Sequence, residues 1–251
     1  MRRDFYSEYF ELENRHWWFR GRRAIFIRLL NRHLAPAAGL TGRRVLDVGC
    51  GTGSMLLELA RYGSAEGVDA AEEAVSLCRR RGLDNVQRVG GPPLPFESGR
   101  FDLVTVLDVL EHVEDDAAMV HELQRLLKPG GTLLVSVPAY RFLWGAQDEI
   151  AHHRRRYVAG ELRALLRAAG LDVVRLSYFN TFLFAPIAAI RLSRHASRGS
   201  LEPKSDFRLT RRGFTNNLLA RVFSSEARLL EHLDLPFGVS LLAVATRAKQ
   251  R

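Results

Sequence analysis

Asp47 stands near the end of a short apolar run, Arg44-Val45-Leu46-Asp47-Val48, and the chain then turns through Gly49-Cys50-Gly51-Thr52-Gly53. Glycines at alternate positions let the backbone approach a bound group closely and adopt positive φ. A strand that enters a glycine-rich turn and leaves as a helix is a nucleotide-binding layout. Its dinucleotide form is G-x-G-x-x-G, with an acid about twenty residues further on. Here the spacing is G-x-G-x-G, and Asp69 follows Asp47 by 22 residues. A carboxylate at Asp69 can accept from both hydroxyls of a ribose. A carboxylate at Asp47 can hold a cationic group and would repel a pyrophosphate. The ligand these residues describe is a nucleoside with a cationic tail, the shape of S-adenosylmethionine.

A second group of residues could move protons. His112, Asp148, His152, His153 and Tyr157 are the candidates. His152 and His153 follow the fifth predicted strand, at the sheet edge where open α/β folds bind ligands. One of them facing the ligand is the expected general base, with a solvated turn as the bland alternative. His112 lies early in a predicted helix, where packing or capping competes with catalysis. Adjacent histidines also suit a metal, but no carboxylate pattern accompanies them, and no metal is expected. Arg154, Arg155 and Arg156 could grip a phosphate or carboxylate bidentately, or simply form a solvated face. Trp17 and Trp18 belong either to the core or to a substrate pocket, together with Tyr157.

The elements that must position these residues alternate. Residues 5–34 read as helical around the cluster His16-Trp17-Trp18-Phe19-Arg20-Gly21-Arg22-Arg23. Pro36 to Gly42 is a linker. Strands are expected at 44–48, 65–68, 86–89, 101–107 and 132–137, with helices at 54–62, 71–81 and 115–127 between them. The run at 101–107 is continuously apolar, as for a strand buried on both faces. Alternation of this kind specifies βαβ units around a parallel sheet. A helix at 159–169 and strands at 172–178 and 239–246 complete the pattern. The connection between the last two strands is about sixty residues long, far beyond an ordinary loop. It holds Phe182-Leu183-Phe184-Ala185-Pro186-Ile187, an arginine-rich stretch to Arg212, and a helix at 214–232.

Four segments in order give the chain a resemblance. They are VLDVGCGTG (45–53), GVDAAEEAV (67–75), LPFESGRFDLVTVLDVLEHVED (94–115) and LLKPGGTLLVSVP (126–138). Across 43–140 the chain resembles the class I S-adenosylmethionine-dependent methyltransferases, near the group with the ubiquinone and menaquinone methyltransferases. The resemblance implies a Rossmann-like seven-stranded sheet, its last strand antiparallel, sandwiched by helices. To this the sequence adds an N-terminal helical cap at 1–40 and an insertion at about 180–237 in a methyltransferase domain at 41–251. By position, the family's roles put Asp47, Gly49 and Gly51 at the methionine end and Gly53 at the start of the helix. They put Asp69 on the ribose, Ala70 on the adenine, and Asp108 and Val109 near the sulfonium. The chain departs from the family at Gly90-Gly91-Pro92-Pro93, where relatives carry an acid for the adenine amino group. Adenine recognition is then expected to rest on backbone groups, or to be weaker. The product would be S-adenosylhomocysteine.

Charge and composition bound the remainder. The 251 residues carry a net charge of +9, with +4 over 1–40, −5 over 41–140 and +10 over 141–251. A basic surface invites nucleic acid, but no recognition motif accompanies it. The stretch after the fourth strand, Leu107-Asp108-Val109-Leu110, also lacks the motif of base-amino methylators. An acceptor with an apolar body and an anionic group, or an anionic membrane surface, fits as well. For membrane contact, Phe182, Leu183, Phe184 and Ile187 would enter lipid, with Arg191, Arg194 and Arg198 at head groups; as a lid, the same segment would cover the substrate pocket. Two cysteines without a metal-ligand cluster suit a reducing cytosol. No run reaches the ~18 to 20 apolar residues of a membrane span, and the start lacks a signal-peptide pattern. The expected place is cytoplasmic, with peripheral contact at the inner face of the membrane left open. A cofactor-binding module without turnover is the competing class, disfavoured by the intact glycine turn. Oligomeric state is left open.

Overall fold

A computed structural model describes residues 3–34, 42–196 and 213–249. The arginine-rich stretch to Arg212, including Arg198, and most of the 36–42 linker lie outside the described residues.

The strands are β1 (Arg44–Val48), β2 (Ser64–Asp69), β3 (Val86–Arg88), β4 (Phe101–Leu107), β5 (Leu127–Pro138), β6 (Leu171–Phe179) and β7 (Ser240–Arg247). They form one seven-stranded sheet in the order β3-β2-β1-β4-β5-β7-β6. β1 to β5 pair in parallel, and β7 runs antiparallel to both β5 and β6. The helices are α1 (Arg3–Leu12), α2 (Trp17–His33), α3 (Ser54–Leu59), α4 (Glu72–Arg80), α5 (Asp116–Leu126), α6 (Ala146–Ala151), α7 (Ala159–Ala168), α8 (Phe184–Ala196) and α9 (Phe214–Leu229).

Alternate side chains of each strand enter two cores. Leu46, Val104 and Val135 pack against Met119, Val120 and Leu123 of α5 and Leu162 and Leu166 of α7. Val45, Leu103, Leu134 and Leu242 pack on the other face, against α2, α3, α4 and α9. The N-terminal stretch is thus divided. α2 belongs to the sandwich, burying Ile25, Phe26 and Leu29 completely, each worth about 1.5–3 kcal/mol. α1 and the first turn of α2 stand over the carboxyl ends of the strands.

The start of β5 and the presence of α6 depart from the sequence expectation. β5 starts at Leu127 and carries Lys128-Pro129-Gly130-Gly131 within it, where a break before the strand is predicted. Leu127 pairs with Phe101, and a register shift absorbs the irregularity. α6 is not predicted at all. It is six residues long and capped by the Asp148 carboxylate, which accepts from Gly145 N at 2.7 Å. At the predicted 115–127 helix, Asp115 is the N-cap and accepts from Ala118 N at 2.8 Å.

Candidate active site

The strand order reverses between β1 and β4, the switch point where open α/β sheets bind ligands. A cavity of about 850 Å³ opens there. Its floor is the turn after β1. Gly49 N and Cys50 N both donate to Val68 O, at 2.8 and 3.0 Å, which holds the turn against β2. A Cβ on Gly49 would lie 2.3 Å from Val109 Cγ2, so only glycine lets the two strand ends meet. Gly51, at φ 55, has open space where its Cβ would be. Gly53 does not line the cavity; at φ 86 it caps α3.

Asp47 is buried, and Thr105 Oγ1 donates to its Oδ1 at 2.6 Å. Burial pushes its carboxyl up to about 7, against the opposing pull of Thr105 and Arg22. Asp69 accepts from Gly51 N and Ala71 N, each at 2.9 Å. Burial raises its pKa as well, and those backbone bonds oppose the rise. Ala70, Asp108 and Val109 line the same cavity. Asp108 takes φ 58 at the end of β4 and accepts from Ser136 Oγ at 3.0 Å. Gly90, Gly91 and Pro92 form one wall.

Several lining residues escaped sequence reasoning. Arg22 of α2 reaches Asp108 at 2.7 Å and lies over the Trp18 and Phe26 rings, 4.5 and 5.3 Å from their centroids. Tyr6 of α1 enters the cavity. Burial, then the negative charges of Asp69 and Glu73, raise its phenol pKa. Glu13 is buried and bonds both Thr52 Oγ1 in the glycine turn and Arg81. These contacts clamp the first helices onto the turn. Trp17 and Trp18 also line the cavity; Trp17 N donates to Asn216 Oδ1 at 2.8 Å, and its ring packs edge-on against Phe223.

The second group of sequence candidates splits. His153 lines the cavity, and its Nδ1 lies 2.8 Å from Asp148 Oδ1. His152 does not line it. It is exposed, at φ 57, on the left-handed cap of α6. Arg154 is exposed and pairs with Glu114 at 3.6 Å. Arg155 binds Val113 O, Glu114 O and Asp116, closing the loop after β4. Tyr157 is buried and donates to Asp116 Oδ2 at 2.8 Å. None of these three lines the cavity, contrary to the substrate role expected of Arg154, Arg155 and Tyr157. The stretch 153–156 is irregular, and of its four residues only His153 and Arg156 face inward.

Glu111 and His112 complete the cluster. His112 and His153 rings meet edge-to-face at 4.7 Å, and His153 Nε2 lies 3.9 Å from Glu111 Oε1. Burial pushes His112 down to about 4, so it is neutral. Glu111 is wholly buried, and among the described residues neither of its oxygens receives a hydrogen bond. Burial and the nearby Asp108 charge push its carboxyl far up. One potential ligand atom from each of Glu111, His112 and His153 lies within 4.8 Å of the others, a spacing compatible with a cation. The sequence reading found no carboxylate beside the histidines; the fold supplies Glu111 from the loop after β4.

The insertion walls the acceptor side. Leu183, Pro186, Ile187 and Ile190 line the cavity. Leu183 and Ile187 thus face inward, not toward lipid, and Arg191 turns in to Leu143 O and Asp148. Phe182 and Leu192 face solvent.

A seven-stranded sheet with an antiparallel β7, a glycine turn at its switch point and two carboxylates at the ends of β1 and β2 define an α/β fold of the methyltransferase class. A methyltransferase-domain family model matches residues 17–176, and the chain belongs to that family. It is 35% identical over 164 residues to a ubiquinone biosynthesis O-methyltransferase of Pseudomonas aeruginosa, covering 56% of this chain and 71% of that one. Its fold is similar to a methyltransferase solved with the Haloferax volcanii Trm112 activator (TM-score 0.60, 20% identity, 99% and 96% of the two chains). It is also similar to phosphoethanolamine N-methyltransferase 2 of Haemonchus contortus in complex with S-adenosyl-L-methionine (TM-score 0.52, 18% identity, 87% and 53%). The protein is a class I methyltransferase that acts on a small-molecule acceptor.

Proposed function

We propose that the protein binds S-adenosylmethionine at the β1–β2–β4 end of the cavity and methylates an oxygen of an apolar acceptor bearing an anionic group. The observation that carries this reading is the sharing of one cavity by Asp47, Asp69 and His153. The residues fit the cofactor. Gly51 leaves open space beside the turn, and the two carboxylates suit an ammonium and a ribose. The solved neighbour that holds this cofactor, and the relative named an O-methyltransferase, support the same assignment. Bound there, the cofactor supplies a sulfonium-activated methyl group.

This chain's residues do the remainder. Asp47, with Gly49 and Gly51, holds the methionine end; Asp69 holds the ribose hydroxyls, and Ala70 faces the adenine. Gly90 to Pro92 offer no acid to the adenine, and Tyr6 closes that region from α1. Asp108 and Val109 border the sulfonium. Trp17, Phe26, Leu183 and Ile187 hold the acceptor's apolar body against the reacting end. Alignment of this kind supplies most of the acceleration a displacement needs. His153 Nε2 receives the proton of the acceptor hydroxyl as the oxygen attacks.

The protein is taken as cytoplasmic, with peripheral contact to an anionic membrane through exposed Phe182, Leu192, Phe214 and Leu218. No helix among the described residues is long and apolar enough to cross a membrane.

Calorimetric titration with S-adenosylmethionine, repeated on Asp69→Ala, tests the cofactor half. Micromolar binding that is lost in the variant supports it; no binding by the wild type refutes it. Methyl transfer to an alkyl-substituted dihydroxybenzoate, compared between wild type and His153→Gln, tests the acceptor half. Loss of transfer with cofactor binding intact is expected, and unchanged transfer would exclude His153 as the base.

A further inference from the structure

We infer that Asp148 is a positioning residue that fixes the tautomer and aim of His153. The inference rests on the reading of His153 as the base. His153 is tied to Asp148 twice: its backbone N donates to Asp148 O at 2.8 Å, and its Nδ1 meets Asp148 Oδ1 at 2.8 Å. The left-handed turn at His152 makes the double attachment possible.

The carboxylate itself is fixed on every side. Arg156 grips it with a fork, Nε to Oδ1 at 2.8 Å and Nη2 to Oδ2 at 3.0 Å, and anchors its own Nη1 on Ala139 O. Gly145 N donates to Oδ2 at 2.7 Å. Arg191, from α8, lies 3.7 Å from Oδ2. Asp148 is fully buried. Its protein partners at Oδ1 and Oδ2 include the Arg156 guanidinium and the Gly145 N–H, which can only donate, so the group stands as an acceptor on both oxygens.

An ionised carboxylate can only accept. His153 must therefore carry its proton on Nδ1, which leaves the Nε2 lone pair directed toward Glu111 and the cavity. That is the nitrogen a base needs free. A structural Arg–Asp pair would not require the imidazole. Its presence on Oδ1, beside the Arg156 fork and lining the cavity, gives the cluster its catalytic sense. Arg191 brings α8, the wall of the acceptor side, into the same cluster, so the segment that encloses the acceptor also supports the base.

The experiment is nitrogen-15 NMR of histidine-labelled full-length protein, with His153 assigned by comparison with His153→Gln. The wild type should show a pyrrole-type Nδ1 and a pyridine-type Nε2 at His153. In Asp148→Asn the amide oxygen is drawn to the Arg156 fork and its NH2 faces Nδ1, so the tautomer should switch to Nε2–H. Transfer to the dihydroxybenzoate probe should then fall about a hundredfold or more, in kcat rather than KM, with S-adenosylmethionine affinity unchanged. Asp148→Glu should keep the Nδ1–H tautomer and recover part of kcat. An Nε2–H tautomer in the wild type overturns the inference even if Asp148→Asn does not fold. So does a tautomer that survives in Asp148→Asn. If His153→Gln transfers methyl normally while the tautomer follows Asp148, the base assignment fails and the positional coupling stands.

Discussion

The Arg22 guanidinium lies 2.7 Å from the Asp108 carboxylate, joining the first core helix to the end of β4. Both side chains are mostly buried, at 15% and 21% exposure. Asp108 shares the cavity with Asp47 and Glu111, and the Arg22 charge favours the ionised form of Asp47 and Glu111 as well. Breaking a fully buried pair costs about 3–5 kcal/mol; partial exposure lowers that here. Arg22→Leu should lose about 1–3 kcal/mol in urea denaturation. Adding Asp108→Asn should recover part of the loss, because no unpaired charge is then left.

Cofactor affinity should depend on pH through Asp47. Its carboxyl sits at about 7 in the free protein, raised by burial. A cationic ligand group favours the ionised form, so binding releases a proton below that pH. Affinity should rise with pH up to about 7 and level off above it, by about tenfold between pH 6 and pH 8. Calorimetry in buffers of different ionisation enthalpy would detect the proton. Asp47→Asn should bind more weakly and lose the slope.

Gly21 and Phe223 fix how closely α2 and α9 approach. A Cβ on Gly21 would fall 2.2 Å from Phe223 Cδ1 and 2.9 Å from its Cβ. Phe223 is fully buried and stacked on Phe179, so it cannot step aside. Gly21→Ala should cost about 1–3 kcal/mol by overpacking, a fall in Tm of about 2–4 °C per kcal/mol in a chain of this size. Thermal melts would measure it, and acceptor KM should rise because Trp17 and Asn216 shift together.

The two adjacent histidines should behave differently. His152→Ala, on an exposed turn, should leave transfer to the dihydroxybenzoate probe within about twofold of wild type. His153→Gln should lower kcat by about a hundredfold or more while S-adenosylmethionine affinity holds. Equal effects of the two substitutions would contradict the placement of these side chains.

The parallel half of the sheet was legible because each of its strands is a local statement. Val45 to Val48 and Phe101 to Leu107 are apolar runs followed by glycine or acid, and such runs need no distant partner to be recognised. That Asp47, Gly49, Gly51 and Asp69 meet at one cavity was legible for the same reason: they sit in or beside one strand–turn–helix unit. The proton-moving end was not. Sequence alone offered His152 and His153 equally, and it grouped Arg154, Arg155 and Tyr157 with the acceptor. A single left-handed residue at the end of α6 sends His152 to solvent and His153 inward. Nothing in the local pattern marks that turn.

What the sequence by itself determined is the alternating α/β pattern and the strand–glycine–helix turn, because periodicity and glycine spacing act over a few residues; the methyltransferase family came from the resemblance of four segments, and the family model bears it out. Only the tertiary structure decided which charges meet. Arg22 with Asp108, Glu13 with Thr52 and Arg81, Glu111 with His153, and Asp148 with Arg156 and Arg191 join residues from separate elements. Each pairing depends on how packing sets separate turns, loops and helices beside one another. A buried charge is tolerated only where such packing brings it a partner.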